Sequence, residues 1–599
     1  MAARRHSNAL RAFAIGVALV LTVSLSPAVF AGSAGAANSM VELQSALDAA
    51  LPADEIAVIV SYQPNFRPAR YRKAVENGEI ESAAVQSDAR HTRRRQIIRA
   101  LRNSAAQGSA PIIELARAGA ASEVHHLWLG NAVALHGTRE LIWRLLAEPR
   151  VLEVHLDGVF SAPLATTALP AAPGWNITAL GVPALWSQGF LGEGALIASL
   201  DTGVDATHPD LAGSFRGGTN SWYDPYGQHA VPHDSDGHGT QVMGLAVGGS
   251  AGGTAIGVAP SAKWIAAKIF DNLHNATESA IHLAYQWVMD PDGNPNTDDA
   301  PDVVINSWDI AGENSCKSQF QADIDALRAA DIAVVYSAGN FGPNAATSVS
   351  PANNSRVTSV GSVDQNNLVS YFSSRGPSPC DGTVFPKVVA PGDGVHTSDI
   401  ALLGTAQYVD VSGTSFSAPE VAGVMALLRA AVPAASAAET EAAVAVTARD
   451  IDAPGPDNNT GYGLVDAGAA YALLSHPIDD DHDGYSISTD CNDHDAGVHP
   501  HAPEIGRDGI DQDCNGYDQT IDVKYAVYSH DGTKLKLRAT SFMRLNAALE
   551  IIGTGPLTWR AARRDWVYDG AAPEGAPSLI TLKGVEGEVI VRPRPPSRR

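Results

Sequence analysis

Extended cationic surface is the first thing this chain lacks. Its 599 residues carry 41 Lys and Arg against 65 Asp and Glu, a formal net charge of −24. No basic stretch is long enough for a nucleic-acid footprint, which removes that class of partner. Cysteine is scarce: Cys316, Cys380, Cys491 and Cys514 are the whole supply. Four cysteines permit three pairings. Cys491 with Cys514 is the local one and leaves Cys316 for Cys380, with free buried thiols as the alternative. Past the opening residues there is no apolar run long enough to span a membrane. Apolar content itself is not lacking. At 45% hydrophobic the composition is that of a folded protein, and the length exceeds one ordinary core.

The opening residues have the form of a secretory signal. Arg4, Arg5 and Arg11 precede the apolar run Ala12 to Leu25, and small residues up to Ala31 suit cleavage. A signal over 1–31 predicts export, which permits disulfides. From 38 to 160, strand-like and helix-like runs alternate as a β-α-β-β-α-β unit. The run Arg90 to Arg95 lies on its first helix and reads as a solvated face rather than a processing signal. A Pro/Ala/Thr-rich linker, Ser161 to Pro173, follows. Between 174 and 475, apolar strands such as Ala195–Leu200 and Val303–Ser307 alternate with helical runs. That predicts an α/β fold, a parallel sheet with helices on both faces. Residues 479–518 hold eleven Asp and one Glu against one Arg. Residues 522–591 are short β-like runs with turn signals, a small all-β domain.

Chemistry gathers in the α/β region. Ser415 stands where a Gly-led turn opens an apolar helix, so free N–H groups lie ready for an oxyanion. A serine needs a base, and His238 in Asp236-Gly237-His238-Gly239-Thr240 has the right pKa range. Asp201, after a strand in Asp201-Thr202-Gly203, is suited to orient that imidazole. Asn340 in Ser337-Ala338-Gly339-Asn340 is a candidate oxyanion donor.

These segments resemble the three signatures of the subtilisin family of serine proteases, in that family's order of Asp, His and Ser. Further likenesses are Gly257-Val258-Ala259-Pro260, Ser373-Ser374-Arg375-Gly376-Pro377 and Val389-Ala390-Pro391-Gly392. The resemblance covers about 174–475 and implies a subtilisin-like fold and a secreted serine endopeptidase working through an acyl-enzyme. A peptide macrocyclase, or a surface-binding protein with an incidental protease domain, are the alternatives. It implies protein or peptide substrates, held by Ser307, Trp308, Asp309 and by Ser337, Ala338, Gly339. The family commonly has Gly where Asp309 stands; the acid reads first as a solvent-facing or turn-capping residue, with a preference for a basic residue before the cut as the alternative. It further implies that the ferredoxin-like unit before the linker is an inhibitory propeptide, with the chain otherwise monomeric.

The acidic segment has oxygen-ligand spacing. Asp479, Asp481, Asp483 and Asp490 follow an EF-hand-type loop, and Asp511, Asp513 and Asn515 repeat its start, with Asp493 and Asp495 between. Hard oxygens at alternate positions predict structural Ca²⁺. The stretch also resembles the metal-binding repeat of secreted bacterial proteins.

Overall fold

The structure, a computed structural model, describes residues 34–63, 86–161, 166–167, 174–475 without 311, 403 and 404, and parts of 481–593. The expected signal over 1–31 lies outside the described residues.

The N-terminal unit opens with a helix, Ala34–Ala49, that sequence periodicity did not reveal. Strands Glu55–Tyr62, Ser122–Leu127, Ala132–Thr138 and Val151–Leu156 then form one antiparallel sheet, ordered second, third, first, fourth along the chain. That order, with helices Gln86–Ala118 and Arg139–Leu146 as crossovers, is the expected βαββαβ arrangement. The first crossover helix runs well past Leu101, because Ala105, Ile112 and Ala116 keep an apolar stripe against Val58, Val60 and Leu135.

The basic run on that helix is not a solvated face. Arg94 is buried to 4% exposure, its guanidinium donating to the carbonyls of Ala330, Ala300 and Pro301 and to Asp298. Arg90 reaches Asp302 at 2.7 Å, and Arg102 reaches Asp290 at 2.7 Å. Spacing of four and eight residues puts these three side chains on one side of the helix, against the α/β domain.

The central domain carries seven parallel strands. In spatial order they are Val388–Pro391, Thr358–Val363, Ala333–Ser337, Val303–Asn306, Leu196–Asp201, Lys263–Lys268 and Trp222–Tyr223. Successive residues face opposite sides. Ile197, Val303 and Ile305 pack under helices His238–Val247 and Thr414–Ala431. Ala198, Leu200 and Val304 pack under Glu278–Met289 and Gln321–Ala329, where Ile97 and Leu101 of the N-terminal unit join the same core. Both faces are covered, hence the near-continuous apolar strands. From Leu196–Asp201 the chain lays Trp222–Tyr223 and Lys263–Lys268 on one side, then starts the other side with Val303–Asn306. The ends of these two neighbours form the switch point where α/β folds place sites.

Toward the C-terminus, described strands form two four-stranded antiparallel sheets around Leu535, Leu537, Leu549, Leu582 and Trp566. Disulfides join Cys316 to Cys380 and Cys491 to Cys514, with Cα separations of 5.0 and 5.6 Å. Among the described residues no helix is long and apolar enough to cross a membrane.

Candidate active site

Asp201 ends its strand at the switch point, and the backbone beyond turns at Gly203. That turn must be glycine: φ is +116°, and a Cβ would sit 1.9 Å from the His233 carbonyl oxygen. Gly239 is equally constrained, since its Cβ would lie 2.0 Å from the Gly203 carbonyl oxygen. The two backbones touch, and helix His238–Val247 is pressed onto the Asp201 turn.

That contact sets Asp201 Oδ1 2.7 Å from His238 Nδ1, with both side chains buried. The Thr202 amide also donates to this oxygen, at 2.7 Å. Burial works to lower the His238 pKa, but the Asp201 charge and hydrogen bond outweigh it and raise the pKa above the ordinary value. Among the described residues His238 Nε2 has no hydrogen-bond partner. Phe416 lies beside the imidazole, ring centroids 5.5 Å apart.

Sequence reasoning missed the residue that ties these pieces together. Asp234 accepts from the Thr202 hydroxyl, the amides of Asp236, Gly237 and Thr240, and the Thr240 hydroxyl, at 2.6 to 3.0 Å. A carboxylate at a helix start is favourable in itself, and this one also binds the Asp201 turn to the His238 helix. An Asp four residues before the histidine was the available signal. Lys268, paired in register with Asp201, adds a buried ammonium that donates to the Thr202 carbonyl and the Ser235 hydroxyl.

Ser415 is the second residue of helix Thr414–Ala431. Pro419 has no N–H to bond the carbonyl four residues back, which is that of Ser415. The Ser307 hydroxyl bonds this carbonyl instead, at 2.8 Å. In return the Ser415 hydroxyl donates to the Ser307 carbonyl at 3.3 Å. Asn340 is oriented by the same helix start. Its Oδ1 accepts from the Thr414 amide at 2.8 Å and hydroxyl at 3.0 Å, so its NH₂ group remains the free end. Ser374 steadies the loop, accepting from the Phe341 amide and donating its own amide to Gly339.

Of the expected substrate-binding stretch, Ser307 touches Ser415, Trp308 packs edge-on against Phe320 and Tyr336, and Asp309 is half-buried. Of the second stretch, the Ala338 amide bonds the Val360 carbonyl and the Gly339 amide bonds the Thr414 hydroxyl, while Ser337 is buried.

The expected metal ligands Asp479, Asp483, Asp490, Asp493, Asp511, Asp513 and Asn515 lie outside the described residues. Asp495 is described and accepts from the Gly497 amide at 3.1 Å; Asp481 is described and half-buried. A second acidic group, absent from the sequence reading, joins Asp290, Asp292 and Asp299, whose carboxylate oxygens lie within 4.8 Å of one another. Burial pushes the Asp290 carboxyl up to about 6, against the pull of Arg102.

Comparison with known proteins fits this geometry. A family model described as "Subtilase family" matches residues 192–463, and a copper-binding, MopE-type model described as "Putative metal-binding motif" matches 490–519. The chain is similar to bacillopeptidase F of Bacillus subtilis, 30% identical over 76% of this chain and 35% of that protein. It is similar to subtilisin Savinase of Lederbergia lenta, 32% identical over 49% of this chain and 97% of the relative. Thermitase of Thermoactinomyces vulgaris is 34% identical over 44% and 84%, respectively. The alignment thus spans about a third of bacillopeptidase F and most of the two shorter enzymes.

Proposed function

As the chain belongs to the subtilase family of serine proteases, we propose that it is a secreted serine endopeptidase, made as a proenzyme, that cleaves peptide bonds through an acyl-enzyme on Ser415. The observation that carries this reading is the 2.7 Å Asp201–His238 hydrogen bond beside a serine at a helix start. For proton transfer the Ser415 hydroxyl has to exchange the Ser307 carbonyl for His238 Nε2, which has no hydrogen-bond partner among the described residues. Oγ attacks the carbonyl carbon, His238 takes the proton, and Asp201 holds the ring and stabilises the imidazolium. Asn340 Nδ2 and the Ser415 amide hold the oxyanion. His238 then protonates the leaving amine, and water on the acyl-enzyme repeats the sequence.

The N-terminal unit is proposed as an intramolecular inhibitor, cleaved between Ala162 and Trp175. In support, its arginines grip the α/β domain, and Thr166–Thr167 pair antiparallel with Val411–Ser412, just before Gly413. For the acidic segment we propose structural Ca²⁺, with Asp479, Asp481, Asp483, Asp490, Asp493, Asp495, Asp511, Asp513 and Asn515 as oxygen donors. The Cys491–Cys514 disulfide is flanked in sequence by Asp490 and Asp493 at one end and Asp513 and Asn515 at the other. Such donors are hard, whereas copper favours the imidazoles of His494 and His499.

Hydrolysis of a peptide substrate by the secreted protein tests the reading. Ser415→Ala is expected to lower kcat roughly 10⁶-fold, the loss attached to the nucleophile in a family relative. Equal turnover by the variant and the native protein refutes it. N-terminal sequencing of the active form checks removal of the signal and the N-terminal unit.

A further inference from the structure

Asp309 carries a carboxylate that nothing around it compensates. Among the described residues it has no hydrogen bond and no ion pair, and the only influence on its titration is burial, which pushes it up to about 6. It is half-buried rather than bathed in solvent. Among the described residues its ionised form meets no counter-charge, a costly arrangement for a half-buried carboxylate away from a binding site.

Its place gives that charge a use. Two residues before it, Ser307 exchanges hydrogen bonds with Ser415 through hydroxyl and carbonyl. Trp308 is sunk against Phe320 and Tyr336, and Ile310 is buried beyond it. Trp308 and Ile310 are buried, whereas Asp309 between them keeps partial exposure, so its side chain is not sunk into the layer that takes its two neighbours. Asp309 then stands roughly 7 Å along the chain from the group that touches the nucleophile.

We propose that Asp309 is a specificity-determining residue that receives the cationic head of a substrate arginine or lysine on the acyl side of the cleaved bond. The inference rests on the protease reading above and adds a substrate class to it. A guanidinium or ammonium supplies the missing counter-charge in a partly dry setting, where a charge-assisted hydrogen bond is strong. Leucine at that substrate position leaves the carboxylate unpaired.

Cleavage profiling of the processed enzyme on a peptide library, followed by kcat/KM for matched Arg, Lys and Leu peptides, tests this. The native enzyme is expected to favour Arg or Lys over Leu at one acyl-side position by at least about tenfold. In Asp309→Asn and Asp309→Gly that ratio falls toward one, and Asp309→Glu retains part of it. A native ratio near one, or a ratio that survives in Asp309→Asn, overturns the proposal while leaving the protease reading intact. Absence of any Ser415-dependent cleavage overturns both.

Discussion

The side-chain oxygen of Asn340 is bound twice by Thr414, through its amide at 2.8 Å and its hydroxyl at 3.0 Å. Thr414, next to the proposed nucleophile Ser415, thus fixes which end of the asparagine is engaged by the helix start. Asn340→Ala is expected to lower kcat by about 10²–10³ with little change in KM, the range such a donor is worth in a family relative. Thr414→Val keeps the amide contact but removes the hydroxyl, and with it both the bond to Asn340 Oδ1 and the acceptor of the Gly339 amide, so kcat should fall by at least about tenfold. Steady-state kinetics on a fluorogenic peptide check both; a Thr414→Val enzyme with native kcat sinks the orienting role.

Arg94 is the most buried of the three arginines that anchor the N-terminal unit. Its removal leaves the carbonyls of Ala330, Ala300 and Pro301 without a donor, at a cost of about 3 kcal/mol. After cleavage of the linker, the two parts of the native protein should co-elute in gel filtration. Arg94→Ala should shift the N-terminal unit to a separate peak, and co-elution of that variant contradicts the anchor.

Alkaline pH should loosen the buried cluster of His282, Asp323 and Glu278. His282 lies 2.8 Å from Asp323 and 3.7 Å from Glu278. Burial opposes its charge, but Asp323 and then Glu278 lift the pKa from 6.5 to about 10. A group raised in the folded state adds stability that is whole below 6.5 and disappears as pH climbs through about 10. Melting temperature should therefore decline across that interval, and His282→Asn should flatten the decline. An unchanged slope in the variant assigns the pH dependence elsewhere.

Metal should matter to the C-terminal segment. Chelation is expected to lower its melting transition, and Ca²⁺ at about a hundred times its Kd to restore roughly 2.7 kcal/mol. Restoration by Cu²⁺ and not by Ca²⁺ reverses the assignment of the ion.

Legibility in the sequence followed range along the chain. Local features were plain. Val303, Val304 and Ile305 form an uninterrupted apolar run, and Gly413 before Ser415 marks a helix start. The seven-stranded parallel sheet follows from such strands alternating with helices. Contacts between distant residues were not plain. Arg94 reads as a surface arginine because its partner, the Ala330 carbonyl, stands 236 positions away. Asp234 reads as one more loop acid because its importance lies in joining Thr202 to Thr240. The helix Ala34–Ala49 escaped notice because its few apolar anchors, Leu43 and Leu47, become informative only against the sheet they cover.

Pro419 has one more consequence. A helix normally spends each carbonyl on its own ladder, and that of Ser415 is released from this duty to fasten the neighbouring strand end. Ser415, the proposed nucleophile, is thereby held by a crosswise tie rather than by the regularity of its own helix. On the proposed mechanism, helical perfection and catalytic alignment compete at this residue, so a sequence change that mends the helix would work against catalysis.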